Sequence, residues 1–205
     1  MGSEQKHLEL PLPKKRTKVR LSTKPSRKRK PSPRTAPLTA SSIPQEQPGF
    51  LIVGIGASAG GLEALEEFFR QIPPGSGMAF VVVSHQPADH VSLLPSLLGR
   101  CTTMPVVEAK DAMKVEPNRV YIAPGGTHMA ILLGVLHFMD PQSKERVPLP
   151  IDFFFHALAK DRTRRAVGVI LSGTGTDGTL GLRTIKAEAG LTIAQEPQTA
   201  RSLSE

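Results

Sequence analysis

Apolar and polar residues follow one another in blocks from residue 50 onward, and the blocks predict a regular succession of strands and helices. Residues 50–55 and 78–84 are short apolar runs, which is typical of buried strands. Between them, apolar residues recur at helical spacing over 62–72, until the Pro-Pro-Gly run at 73–75 ends the helix. A strand, a helix and a second strand in this order indicate a parallel sheet.

The same rhythm continues along the rest of the chain. Further strands are predicted at 104–109, 119–125, 166–172 and 191–196, with two more inside 128–140 that meet near Gly134. Further helices are predicted at 90–100, with Pro95 in a first turn or at a kink, at 150–161, and at 180–190 with Gly190 as the stop. Strands that are apolar on both faces and alternate with helices predict a three-layer, doubly wound α/β fold with a mostly parallel, Rossmann-like sheet.

The first part of the chain, residues 1–49, lacks this rhythm and carries most of the charge. Residues 1–50 hold 12 Lys or Arg against 3 Asp or Glu, whereas residues 51–205 hold 14 against 15. We therefore expect a disordered basic tail rich in Pro and Ser, followed by one domain over 50–205. The tail could be a polyanion-binding arm or a solvated linker. We favour the linker and expect no nucleic acid partner, because no aromatic residue interleaves the charges.

Composition also narrows the cellular setting. Cys101 is the one cysteine, so a disulfide framework is excluded and a reducing compartment fits. No apolar run reaches the roughly 18–20 residues of a membrane span, and the start of the chain has no apolar core of a signal peptide. We therefore expect a cytoplasmic protein without membrane insertion.

The glycine-rich stretch "GIGASAGG" at 54–61 follows the first strand and leaves three interpretations open. One is a dinucleotide site, although the third glycine is one residue late and "SHQ" ends the second strand where an acidic residue is expected. Another is a tight structural turn in which Ser58 caps the helix. The last is a nucleophile, since a serine at a strand-to-helix turn lies beside free helix N–H groups that could stabilise an oxyanion.

Two further residues at predicted strand ends make the nucleophile interpretation chemically complete. His85 follows the second strand and Asp177 follows the strand at 166–172. Serine needs a base within hydrogen-bond reach and a group that orients the base, and these two residues could fill those roles. We expect neither metal nor cofactor, because His85 and His90 are joined by no cluster of Cys or carboxylates.

Four motifs resemble the catalytic domain of CheB-type protein-glutamate methylesterases of bacterial chemotaxis. They are "VGIGASAGGLEAL", "VVVSHQPADHVSLL", "VYIAPGGTHM" and "VILSGTGTDGTLGL", in that order. Their residues are similar to those of the form that is fused to a CheR-type methyltransferase. The resemblance implies a catalytic triad of Ser58, His85 and Asp177. His128 would belong to the loop architecture near the site, and the backbone N–H at Thr174 could help to bind an oxyanion.

The resemblance also implies hydrolysis of glutamate methyl esters on the cytoplasmic helices of chemoreceptors, and deamidation of receptor glutamines in related members. A CheR-type methyltransferase would be a further partner. The family's receiver domain has no counterpart here, and its domain continues beyond "TIAQEPQTARSLSE". We therefore expect a C-terminally truncated domain. The alternative is a catalytically inactive receptor-binding or scaffold fragment.

Overall fold

The computed structural model describes residues 49–58, 61–86, 92–139, 149–171 and 176–199. Within these ranges the strands are β1 (Ile52–Ala57), β2 (Ala79–Ser84), β3 (Val106–Glu108), β4 (Met113–Lys114), β5 (Arg119–Ile122), β6 (His128–Leu132), β7 (Val135–Met139), β8 (Ala166–Leu171) and β9 (Leu191–Ala194). The α-helices are α1 (Leu62–Gln71), α2 (Leu94–Leu98), α3 (Pro150–Arg162) and α4 (Thr179–Ala187). The predicted disordered tail lies outside the described residues.

Six of these strands form one sheet in the order β3-β5-β2-β1-β8-β9, and every neighbouring pair in it is parallel. The chain leaves β1 toward one edge of the sheet and later returns to β8 on the other side of β1. This reversal makes the carboxyl end of β1 the switch point of a doubly wound sheet, where such folds place their sites. The predicted α/β fold with a mostly parallel sheet is confirmed.

Helices cover both faces of the sheet, and each face has its own core. On one face α1 and α2 bury Leu65, Phe69 and Leu98 against Phe80 and Val82. On the other face α3 and α4 bury apolar side chains that include Phe154, Phe155, Leu158 and Ile185. The burial of both faces explains why the central strands are apolar throughout instead of alternating.

A second, antiparallel sheet of three strands, in the order β4-β7-β6, packs against α3. Its β6–β7 hairpin turns at Leu133 and Gly134, whose φ angles are 51° and 75°, so the prediction of two strands meeting near Gly134 is confirmed. Strand β4 was not predicted, because two residues carry no periodicity that a sequence pattern could register.

Tyr121 of β5 connects the large sheet to the β4 segment. Its hydroxyl accepts a hydrogen bond from the backbone N–H of Glu116 at 2.9 Å and donates one to the carbonyl of Lys114 at 3.2 Å. Burial raises the pKa of the Tyr121 phenol, so the hydroxyl keeps the proton that it donates.

Two predicted helix ends differ from the structure. Helix α2 has five residues instead of the eleven predicted; Pro95 lies in its first turn, and residues 90–91 are outside the described ranges. Helix α4 ends at Ala187, and the left-handed residue after it is Ala189, with a φ of 62°, instead of Gly190. Gly190 is needed for close packing, because a Cβ there would lie 2.6 Å from the carbonyl oxygen of Ala166.

The first two glycines of the glycine-rich stretch, Gly54 and Gly56, lie inside β1 directly beneath α3. A Cβ on Gly54 would lie 2.9 Å from Leu158, and a Cβ on Gly56 would lie 2.5 Å from Ile151. Both glycines therefore allow a helix to pack closely on the sheet. This packing role accounts for both glycines without the dinucleotide interpretation.

We expect Gly54→Ala to destabilise the domain by about 1–3 kcal/mol, because the added methyl group must displace Leu158 and its neighbours on α3. Urea unfolding followed by circular dichroism would measure the change. An unchanged unfolding midpoint would contradict the assignment of Gly54 as a packing residue.

Candidate active site

The register of two neighbouring strands places Ser58 beside His85. Strands β1 and β2 are parallel, and their last paired residues are Ala57 and Ser84. Ser58 and His85 each follow directly, so they leave the sheet side by side from strands that lie about 4.8 Å apart. The predicted convergence of strand ends therefore arises from the register of the sheet.

Backbone hydrogen bonds hold His85 in a tight turn. The N–H of Gln86 donates to the carbonyl of Ser84 at 3.0 Å, which closes a three-residue turn centred on His85. The carbonyl of Gln86 in turn accepts the N–H of Gly126 at 3.0 Å, so the loop after β5 fixes the turn. The imidazole ring therefore projects from a supported backbone, with its side chain 41% exposed.

The His85 ring is held by Asp177. Its Nε2 atom lies 2.8 Å from Oδ2 of Asp177, whose side chain is only 4% exposed. A carboxylate can only accept a hydrogen bond, so Nε2 carries the proton and the lone pair of the neutral ring is on Nδ1. The arrangement leaves Nδ1 to act as the base.

Asp177 is itself fixed by the N-terminus of α3. Its Oδ2 accepts the N–H of Ile151 at 3.1 Å, and its Oδ1 accepts the N–H of Asp152 at 2.8 Å. These amides belong to the first turn of α3, where an α-helix has N–H groups without intrahelical partners and a partial positive charge. The helix therefore fixes the carboxylate and sets its orientation toward His85.

The contribution of α3 to the site was missed at the sequence level. The run "LPID" at 149–152 has a proline in the first turn, which marks a helix start, but it does not reveal what the free amides bind. A helix start and an acidic residue at a Gly-rich turn were both visible in the sequence. Their pairing depends on the packing of α3 beside α4, which no local pattern encodes.

Ser58 is separated from the start of α1 by a short turn. The N–H of Gly61 donates to the carbonyl of Ser58 at 2.8 Å. Gly61 is the N-cap residue of α1 and, as a glycine, has no side chain that could cap the helix. The N-cap position of α1 is therefore occupied by Gly61 instead of Ser58. The first turn of α1, with its N–H groups and its partial positive charge, begins just after this turn.

The remaining residues considered from the sequence are His128, His90 and Thr174. His128 is the first residue of β6, and its ring contacts Phe153 edge-on with centroids 5.8 Å apart. His90 and Thr174 lie outside the described residues. Across the described ranges, His, Cys, Asp and Glu form no group of three that could hold a metal ion, and no helix is long and apolar enough to cross a membrane.

The fold and the site together define a class of protein. It is an α/β protein whose parallel sheet presents, at the ends of adjacent strands, a serine and a histidine oriented by a buried carboxylate. Serine hydrolases on unrelated folds use this set of residues.

The comparison with known sequences narrows the class to one family. The family model for CheB methylesterase matches residues 53–204, so the chain belongs to the CheB methylesterase family. Two relatives are named protein-glutamate methylesterase/protein-glutamine glutaminase. The one from Chromohalobacter salexigens is 32% identical over 175 residues, which are 83% of this chain and 48% of the relative. The one from Escherichia coli K12 is 34% identical over 167 residues, or 80% and 47%.

A solved structure supports the same assignment. The crystal structure of the Thermotoga maritima CheB methylesterase catalytic domain is 33% identical and superposes with a TM-score of 0.67, covering 74% of this chain and 82% of that one. The chain spans about half the length of the curated relatives that it matches.

Proposed function

We propose that the chain is a protein-glutamate methylesterase that hydrolyses glutamate methyl esters on the cytoplasmic helices of chemoreceptors. The observation that carries the proposal is the hydrogen bond of 2.8 Å between Nε2 of His85 and the buried Asp177, with Ser58 on the adjacent strand in the next register position. The names of the relatives support the choice of substrate.

In the proposed mechanism, Nδ1 of His85 takes the hydroxyl proton of Ser58 as the Ser58 Oγ atom attacks the ester carbonyl. The first turn of α1 holds the resulting oxyanion. The tetrahedral adduct collapses, the bond to methoxide breaks, and the imidazolium gives its proton to the leaving group, which departs as methanol. Water then attacks the acyl-serine with the same base and releases the glutamate. Asp177 stabilises the imidazolium at each step.

The same residues could also act on receptor glutamine, with ammonia as the leaving group, in agreement with the second half of the relatives' names. The exposed ring of His85 suits a substrate that is the surface of another protein rather than a small molecule in a closed cavity. We propose a CheR-type methyltransferase as a further partner, because it would form the esters that this chain removes.

A fluorophosphonate probe tests the proposed function directly. We expect the probe to label Ser58, identified by peptide mass spectrometry, and we expect methylated receptor to release methanol in the presence of the chain. Receptor binding without labelling would instead support the alternative of an inactive receptor-binding or scaffold fragment.

We expect deletion of residues 1–48 to leave esterase activity within a few-fold of the full chain. The described core begins with Phe50, which packs against the cluster that includes the buried residues of α3, and with Ile52, which is fully buried. Methanol release and the melting temperature would be compared for the two chains. Loss of folding on deletion would contradict the proposed boundary near residue 50.

We propose that a further segment covers β9, because apolar side chains of this edge strand are exposed. Leu191 and Ile193 of this edge strand are 58% and 44% exposed, which is unusual for apolar residues in a sheet of this class. A chain extended by the family's downstream segment should melt at a higher temperature than the 205-residue chain. An equal melting temperature would contradict the proposed covering of β9.

A further inference from the structure

Asp152 is a buried carboxylate whose side chain takes no direct part in the proposed reaction. It lies in the first turn of α3, its residue is 8% exposed, and its Oδ1 accepts the N–H of Gly181 at 2.7 Å. Gly181 lies in the first turn of α4. The side chain of one helix therefore binds a backbone group that the neighbouring helix cannot satisfy internally.

Asp152 and Asp177 link the starts of α3 and α4 reciprocally, because each side chain accepts backbone N–H groups from the start of the other helix. Asp177, which lies two residues before α4, accepts N–H groups from the first turn of α3. Asp152, in α3, accepts an N–H group from the first turn of α4. A carboxylate from the neighbouring segment therefore lies at the N-terminus of each helix, where a negative charge interacts favourably with the helix dipole.

The two helices also approach each other closely at this point. A Cβ on Gly181 would lie 2.4 Å from the Cβ of Phe155, which is one turn along α3 from Asp152. The first turn of α4 can therefore move away from α3 but cannot move closer. Without the bond from Asp152 to Gly181, an outward shift of α4 would carry Asp177 with it, because only Gly178 and the first helical residues separate them.

We propose that Asp152 is a positioning residue for the reaction, acting through Asp177 on the imidazole of His85; this inference rests on the proposed function. The hydrogen bond from Asp152 to Gly181 fixes the start of α4, and thereby holds the carboxylate of Asp177 where it can keep the proton of His85 on Nε2. The role depends on the acceptor oxygen of residue 152 and not on its charge.

The first test compares Asp152→Ala with Asp161→Ala. Asp161 is a matched control: it lies on the same helix, its side chain is 4% exposed, and its Oδ2 accepts the N–H of Gly134 at 3.1 Å, far from the site. Both variants should lose stability. Only Asp152→Ala should label more slowly with fluorophosphonate, by about 10²-fold, which is the order expected for a displaced reacting group. Equal labelling rates in the two folded variants would overturn the proposal.

A second pair keeps the test decisive if Asp152→Ala does not fold. Asp152→Asn keeps the acceptor without the charge, whereas Asp152→Glu keeps the charge and displaces the acceptor by one methylene group. We expect Asp152→Asn to label close to the wild-type rate and Asp152→Glu to label much more slowly. The reverse order would overturn the proposal.

Nitrogen-15 NMR of the His85 ring gives a readout that does not depend on activity. The wild-type chain should show one neutral tautomer with the proton on Nε2, and Asp152→Asn should retain it. Asp152→Glu should show a mixture of tautomers, and a single unchanged tautomer there would overturn the positioning role. If the wild-type chain is never labelled, the proposed function fails, and the ring spectra still decide whether Asp152 positions Asp177.

Discussion

Asp177→Asn should lower turnover by about four orders of magnitude, the loss seen when the triad aspartate of serine proteases is changed in this way. The structure gives a specific reason. Among the described residues, Asp177 accepts N–H groups from His85, Ile151 and Asp152, and an asparagine amide has a single oxygen to offer them. If the amide nitrogen faces His85, the imidazole must place its proton on Nδ1 and can no longer act as the base toward Ser58.

The same substitution should also cost stability. With the amide in either orientation, at least one buried N–H group at the start of α3 loses its acceptor or faces another donor, which costs about 1–3 kcal/mol. Methanol release and urea unfolding would be measured together. Asp111→Asn is a suitable control, because Asp111 also accepts a backbone N–H, that of Phe138 at 2.8 Å, but at an exposed position. Near-normal turnover in folded Asp177→Asn would remove Asp177 from the site.

Ser58→Ala should abolish probe labelling and reduce turnover by about 10⁶-fold, the loss measured when a triad serine is removed from a protease. The fold should not change, since the alanine keeps the Cβ and the backbone carbonyl of residue 58 still accepts the N–H of Gly61. The melting temperature should therefore stay close to that of the unmodified chain.

Ser96→Ala provides the comparison for Ser58→Ala. Ser96 lies on α2, and its exposed hydroxyl donates to the carbonyl of Leu93 at 2.8 Å, so its removal should leave both labelling and turnover unchanged. Residual hydrolysis by Ser58→Ala above a hundredth of the original rate would show that Ser58 is not the nucleophile.

The sequence predicted the parallel sheet and the positions of Ser58 and His85 after two of its strands, because both depend on patterns that are local. Apolar runs such as those of β1 and β2 are buried on both faces and stand out from their flanking turns. A residue that directly follows such a run must lie at the carboxyl edge. Ser58 and His85 could be placed at that edge on this basis before the register of the strands was known, whereas Asp177 lies six residues beyond the end of β8.

The parts that could not be predicted depend on how elements pack against one another. Nothing near Gly54 or Gly56 in the sequence shows that α3, a hundred residues later, lies on them. In the same way, the partner of Asp152 is Gly181, and the glycine is required by a contact with Phe155 that only the packed helices create. The two residues of β4 are too short a run for any pattern to indicate.

The strand order also has a consequence for the way the protein folds. The contact between His85 and Asp177 spans 92 residues, and β1, which leads into Ser58, pairs with β2 on one side and with β8 on the other. Forming these distant parallel pairs requires large loops to close, which is slow compared with helix formation. Helices can therefore form early in refolding, before β8 pairs with β1 and the segment after β8 brings Asp177 to His85.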